Sequence, residues 1–128
     1  MNKQTKWLVL AGALFAMLSV AIGAFAAHGL KSHLDEYGLS IIETGARYQM
    51  YHALALLVLA ALSIKLSSIA VNVAGICFVA GIICFSGSLY VLALTTVKWV
   101  VFVTPLGGLL FIVAWATLMY ATITKKDV

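Results

Sequence analysis

The chain has 128 residues, 64% of them hydrophobic and only 9% charged, with a formal charge of +4. Soluble domains carry roughly a quarter of their residues charged, so this composition excludes a water-soluble globular surface. The positive excess does not indicate nucleic acid either, because the lysines stand singly or in pairs beside apolar segments, where they contact headgroups and set orientation.

Charged residues fall before Trp7, between Lys31 and Arg47, at Lys65, at Lys98 and from Lys125 onward. Four uncharged stretches separate them, and the shortest, Tyr48 to Ile64, has 17 residues. A helix needs about 20 apolar residues, within a range of about 17 to 25, to cross the hydrocarbon core. The expected fold is therefore all-α, an integral membrane four-helix bundle in one domain, with helices over about 7–27, 41–64, 69–94 and 100–123.

The first span follows Lys3 and Lys6 and ends in Ala24-Phe25-Ala26, which imitates a signal-peptidase site. Its apolar region exceeds the 7 to 15 residues of a signal peptide and three more spans follow, so it reads as an uncleaved helix. Gly12 and Ala16, and separately Ser19, Gly23 and Ala27, stand four apart and allow close approach of another helix.

Between His28 and Arg47, residues Leu30, Leu34, Tyr37 and Ile41 form one apolar stripe at helical spacing. Gly38 is expected to break it, leaving a short amphipathic helix in the headgroup plane between the first two spans. Ser40-Ile41-Ile42-Glu43 reads as a capping box that starts the second helix near Ile41. A short turn through Lys65 to Ser68 leads to the third span, long enough to tilt. Within it Ala80, Cys84 and Ser88 place small side chains along one face. Cys77 and Cys84 are seven residues apart on one helix, roughly 10 Å, too far to bridge each other. The fourth span either begins near Val100 and bends at Pro105, or begins at Pro105 with Thr104 as its cap. The first version is preferred, because irregular backbone facing lipid leaves polar groups unsatisfied.

Lys3, Lys6, Lys65, Lys125 and Lys126 lie on one side and Lys31, Arg47 and Lys98 on the other, which places both termini in the cytoplasm. Antiparallel placement also fixes relative depth. His28, Tyr48, Gln49, His52, Ser86, Tyr90 and Thr104, together with Ser88, all fall in the half next to the His28–Arg47 connection. The other half has little beyond Ser19, Ser63 and Asn72. Each residue has an ordinary reading: serines bond carbonyls of their own helix, Tyr48, Tyr51 and Trp99 suit the aromatic belt, and His28 is solvated in the headgroups. His52 is different, since it lies roughly 6 Å below the boundary, where ionisable side chains face the bundle or a wet cavity. A cluster of His52 with Ser86, Tyr90 or Thr104 follows, read either as a ligand pocket or as a structural network.

Several chemistries are disfavoured. The acids lie outside the spans, so proton-coupled drug antiport lacks its carboxylate. His28 and His52 are too shallow for a bis-histidine haem. No phosphate loop or activated nucleophile is evident, and no cofactor is expected.

The words GAFAAHGL (Gly23–Leu30), YQMYHALALL (Tyr48–Leu57), FSGSLY (Phe85–Tyr90) and TPLGG (Thr104–Gly108), with Trp115 beyond, resemble the YgdD/YwdK family of small bacterial membrane proteins. Ala26 stands where that family is expected to have Gly, and Ala114 precedes Trp115 where Gly is common; neither change removes a polar group. The resemblance implies a four-span protein of the bacterial cytoplasmic membrane and implies no activity. The residues themselves favour a non-enzymatic binding or accessory module with a polar pocket in the outer half, with membrane lipids, a second copy or another membrane protein as partners. The alternative is a small transporter or channel subunit.

Overall fold

Polar residues at the chain's turns set the ends of four long helices in the computed structural model, which describes residues 1–126. Asp127, the last of the four acids, lies outside the described residues. The helices are α1 (Lys3–His28), α2 (Glu36–Leu62), α3 (Ser68–Leu94) and α4 (Val103–Ile123), with a 3₁₀ turn over Trp99–Phe102 leading directly into α4. Three of them, α1, α3 and α4 with its leading turn, are long and apolar enough to cross a membrane. The remaining helix, α2, is equally long but carries Glu36, Glu43, Arg47, Gln49 and His52 in its first two-thirds.

Capping explains where each helix begins. Asn2 accepts from the Thr5 amide at 2.8 Å and from its hydroxyl at 3.0 Å, which starts α1 four residues before the apolar stretch. Asp35 does the same for α2, accepting from the Gly38 amide at 2.8 Å. This corrects the expected start at Ile41: the Ser40 hydroxyl donates instead to the Tyr37 carbonyl at 2.8 Å, inside a helix already running. Nor does Gly38 break anything. It is buried in the first turn of α2, where a Cβ would stand 3.2 Å from the Asp35 carboxylate and 3.4 Å from Leu34. The separate interfacial helix is consequently not formed. Gly29 to Leu34 make turns, with His33 and Leu34 amides both bonded to the Leu30 carbonyl, and the rest of the stripe belongs to α2 itself. At the start of α4 the chain enters through the 3₁₀ turn and passes Pro105 in the first helical turn, where its missing N–H costs nothing.

Packing follows chain order. α1 lies on α2, α2 on α3 and α3 on α4; α1 meets α3 over a short stretch, and α1 and α4 have no extensive contact. Glycines set the close approaches. A Cβ at Gly12 would stand 2.9 Å from the Ala53 carbonyl oxygen, at Gly75 2.5 Å from the Trp7 ring, and at Gly81 2.5 Å from the Phe111 ring. The apolar core, including Leu8, Leu56, Leu59, Val71, Phe78 and Ala114, fills the half near the N-terminus and the α2–α3 turn. Its end is closed by polar contacts: Gln4 donates to the Ser68 carbonyl at 2.7 Å, and the Thr5 and Ser63 hydroxyls are 2.9 Å apart. Cys77 and Cys84 are free and half-buried.

Candidate functional site

In the other half, next to the α1–α2 connection, polar side chains converge between helices. Gln49 sits at the centre of α1, α2 and α3 and is 3% exposed. Its amide nitrogen donates to the Phe15 carbonyl of α1 at 2.8 Å, and its oxygen accepts from the Tyr90 hydroxyl of α3 at 2.8 Å. Two serines reach the backbone of α2 from either side. Ser19 donates to the Ala46 carbonyl at 2.6 Å, and Ser86 to the Gly45 carbonyl at 2.7 Å. Gly45 is required there, because a Cβ would stand 2.7 Å from the Tyr90 ring.

His52 forms a second centre, facing α4. Its Nδ1 lies 2.7 Å from the Tyr48 carbonyl, one turn earlier, and its Nε2 lies 3.2 Å from the Trp115 indole nitrogen. An indole N–H only donates, so Nε2 accepts and Nδ1 carries the proton that goes to the carbonyl. The ring is therefore a neutral imidazole with both nitrogens engaged. It stacks on Phe111 at 3.5 Å between centroids and 3° between planes, and Phe78 lies 5.7 Å away. Ser88 and Thr104 join α3 to α4 through their hydroxyls, with Ser88 also bonded to the Phe85 carbonyl at 2.9 Å.

The expected residues thus divide. Gln49, Tyr90 and Ser86 share one network, His52 belongs to another, and Thr104 to a third. His52 bonds none of Ser86, Tyr90 or Thr104. Tyr48 contributes its carbonyl to His52 and packs its ring on Phe85 at 4.8 Å. His28 is exposed at the end of α1 and takes no part. Ser19, assigned by depth to the opposite half, joins this one because α1 and α2 meet at its level. The partners that sequence reading missed are Trp115, Phe111 and the Gly45 carbonyl. Phe111 and Trp115 stand four apart on α4, a spacing that marks one aromatic face.

No buried side-chain nitrogen or oxygen lacks a partner among the described residues. None of those residues forms a cluster of three or more His, Cys, Asp or Glu that could hold a metal. Two recesses flank the polar half. One, of about 660 Å³, opens between α1 and α2 and includes Ser19, Gly23, Ala27, Ala46, Met50 and Tyr51. Lys31, Glu43 and Arg47 stand at its edge. The other, of about 390 Å³, lies between the start of α2 and the end of α3, beside Asp35 and Lys98.

Residues 22–108 match the family model described as "Protein of unknown function (DUF423)". The chain belongs to this family. Relatives of this DUF423 chain carry the name UPF0382 membrane protein. One from Staphylococcus aureus is 50% identical over 91% of this chain and 95% of its own. One from Staphylococcus epidermidis is 49% identical over 92% and 96%. YwdK from Bacillus subtilis is 44% identical over 92% and 97%, so the resemblance read from the four sequence words is to the family itself. No solved structure matches the chain. The DUF423 match takes in Gly45, Gln49, His52, Ser86, Tyr90 and Thr104, and stops before Trp115.

Proposed function

We propose that this DUF423 protein is a four-span, non-enzymatic binding or accessory module of the bacterial cytoplasmic membrane, with both termini inside and its recognition surface in the outer half. Burial supports α2 as the fourth span. Gln49 and His52 are 3% and 6% exposed and bonded to groups on neighbouring helices, so these two polar side chains face other helices rather than lipid. At 27 residues it is about 40 Å long, against a hydrocarbon core of about 30 Å, which leaves its first turns with Glu36 and Glu43 above the core. The excess of Lys and Arg on the terminal side supports the orientation.

The observation that carries the binding reading is that the polar half is bonded within the protein, with no buried side-chain nitrogen or oxygen among the described residues left without a partner. Gln49, Tyr90, Ser86 and Ser19 bond groups on neighbouring helices and His52 bonds both α4 and its own helix, which ties the helices together and leaves the adjoining lateral recesses as the surfaces open to a ligand. A transporter would need polar groups through both halves, and the half around Leu8, Leu56, Leu59 and Phe78 is packed with apolar side chains. Reconstitution into sealed vesicles tests the reading: they should remain as impermeable to ions and small polar solutes as protein-free vesicles. Solute flux that scales with the amount of protein would replace it with the transporter or channel reading.

A further inference from the structure

We propose that the groove between α1 and α2 binds one anionic phospholipid, with its phosphate at Lys31 and Arg47 and an acyl chain along Ser19, Gly23 and Ala27. This rests on the reading of the chain as a membrane binding module.

The groove arises from how α1 and α2 separate. They are pressed together at Gly12 and joined at Ser19, whose hydroxyl is already committed to the Ala46 carbonyl. One turn further, a Cβ at Gly23 would meet nothing within 4 Å. From there to the end of α1, Gly23 and Ala27 leave open space, walled on the α2 side by Ala46, Met50 and Tyr51. The floor along α1 has only the Ser19 hydroxyl, which is already bonded, and the Tyr51 hydroxyl on the α2 wall is the polar exception, so what lies on the floor is apolar. From Ser19 to Ala27 is about 12 Å along the helix, close to the roughly 15 Å that half of the hydrocarbon core measures. An acyl chain entering at the surface fills that length.

Charge identifies the head. Lys31, Arg47 and Glu43 stand together at the mouth. Arg47 pairs with Glu43 through one terminal nitrogen, an exposed contact one turn apart on α2, leaving its remaining N–H groups free to donate. Lys31 forms no ion pair among the described residues. The mouth therefore carries a net charge of +1, which complements a phosphodiester monoanion. A second copy of the chain fits less well. Related by an axis along the membrane normal, the two would bring Lys31 and Arg47 to the same depth as their own copies.

Native mass spectrometry of protein released from nanodiscs tests the site. The probes are phosphatidylglycerol and phosphatidylcholine with identical acyl chains. The wild-type protein should retain one phosphatidylglycerol in preference to phosphatidylcholine. Lys31→Gln and Arg47→Gln, both on exposed side chains, should each lower that retention about fivefold. Glu43→Gln should raise it, because it removes the competing carboxylate. Gly23→Leu fills the groove where nothing else stands and should abolish retention of both lipids. Equal retention of the two lipids, or retention unchanged in Gly23→Leu, overturns the site, as does a dimer mass without bound lipid. If these fail while the reconstituted vesicles stay impermeable, the lipid site is lost and the binding-module reading remains. Protein-dependent flux overturns that reading itself.

Discussion

The Trp115 indole N–H of α4 donates to His52 Nε2 of α2 at 3.2 Å, joining two helices whose other close contact is the stack of His52 on Phe111. Trp115→Phe keeps an aromatic ring beside Phe78 but leaves a buried acceptor unpaired, so stability in mixed micelles should fall by about 1 kcal/mol. The double variant with His52→Phe should lose less than the two single losses combined, because both polar partners are then gone. ¹⁵N NMR of labelled histidine provides a second check. His52 should show a protonated Nδ1 and a bare Nε2, and a proton on Nε2 would contradict the bond.

Gln49 and Tyr90 should be coupled. Tyr90→Phe removes the donor to the Gln49 oxygen, and Gln49→Leu removes both of the bonds that link α2 to Phe15 and Tyr90. A double-mutant cycle is expected to give a coupling of about 1 kcal/mol, near the upper part of the range for bonds between membrane helices. Independent effects would mean that the hydroxyl bonds elsewhere.

Two glycines give opposite outcomes on substitution by alanine. A Cβ at Gly107 would run into the backbone nitrogen and Cα of Phe85, which cannot move without shifting α3, whereas Gly87 has nothing within 4 Å. Gly107→Ala should therefore destabilise by roughly 1–3 kcal/mol. Gly87→Ala should leave stability unchanged or slightly raised, since alanine is the better helix former. Thermal unfolding of both in one detergent decides this.

Orientation has its own test. With Cys77 and Cys84 replaced, Ser32→Cys and Ser67→Cys are offered to a membrane-impermeant thiol reagent on intact cells. Labelling at position 32 alone is expected. Labelling at position 67 alone would reverse the orientation and move the α1–α2 groove to the inner leaflet, with its residues unchanged.

Charge position made the ends of α3 legible, 69–94 against Ser68–Leu94, because Lys65 and Lys98 bracket an unbroken apolar run. The start of α2 was harder. Ser40 with Glu43 reads as a helix start, but in the structure Asp35 caps the helix earlier, which adds five residues of helix and buries Gly38 in its first turn. Depth arithmetic brought Gln49, His52, Ser86 and Tyr90 to one half, since span order alone fixes depth. It could not give the partners, which depend on how each helix is turned about its axis. Trp115 lay in plain view on α4, but only packing turns it toward His52.

The succession of contacts from α1 to α4 has a consequence for biogenesis. Each of α2, α3 and α4 packs extensively on the helix synthesised just before it, so the molecule can assemble in the order in which it leaves the ribosome. Such local pairing keeps the loops that must close short and avoids a slow search for distant partners. Contacts between non-consecutive helices have to wait. Trp7 and Leu8 reach Gly75 only after α3 is made, and His52 reaches Trp115 only after α4, so α1 and α2 are each completed by a helix made two later.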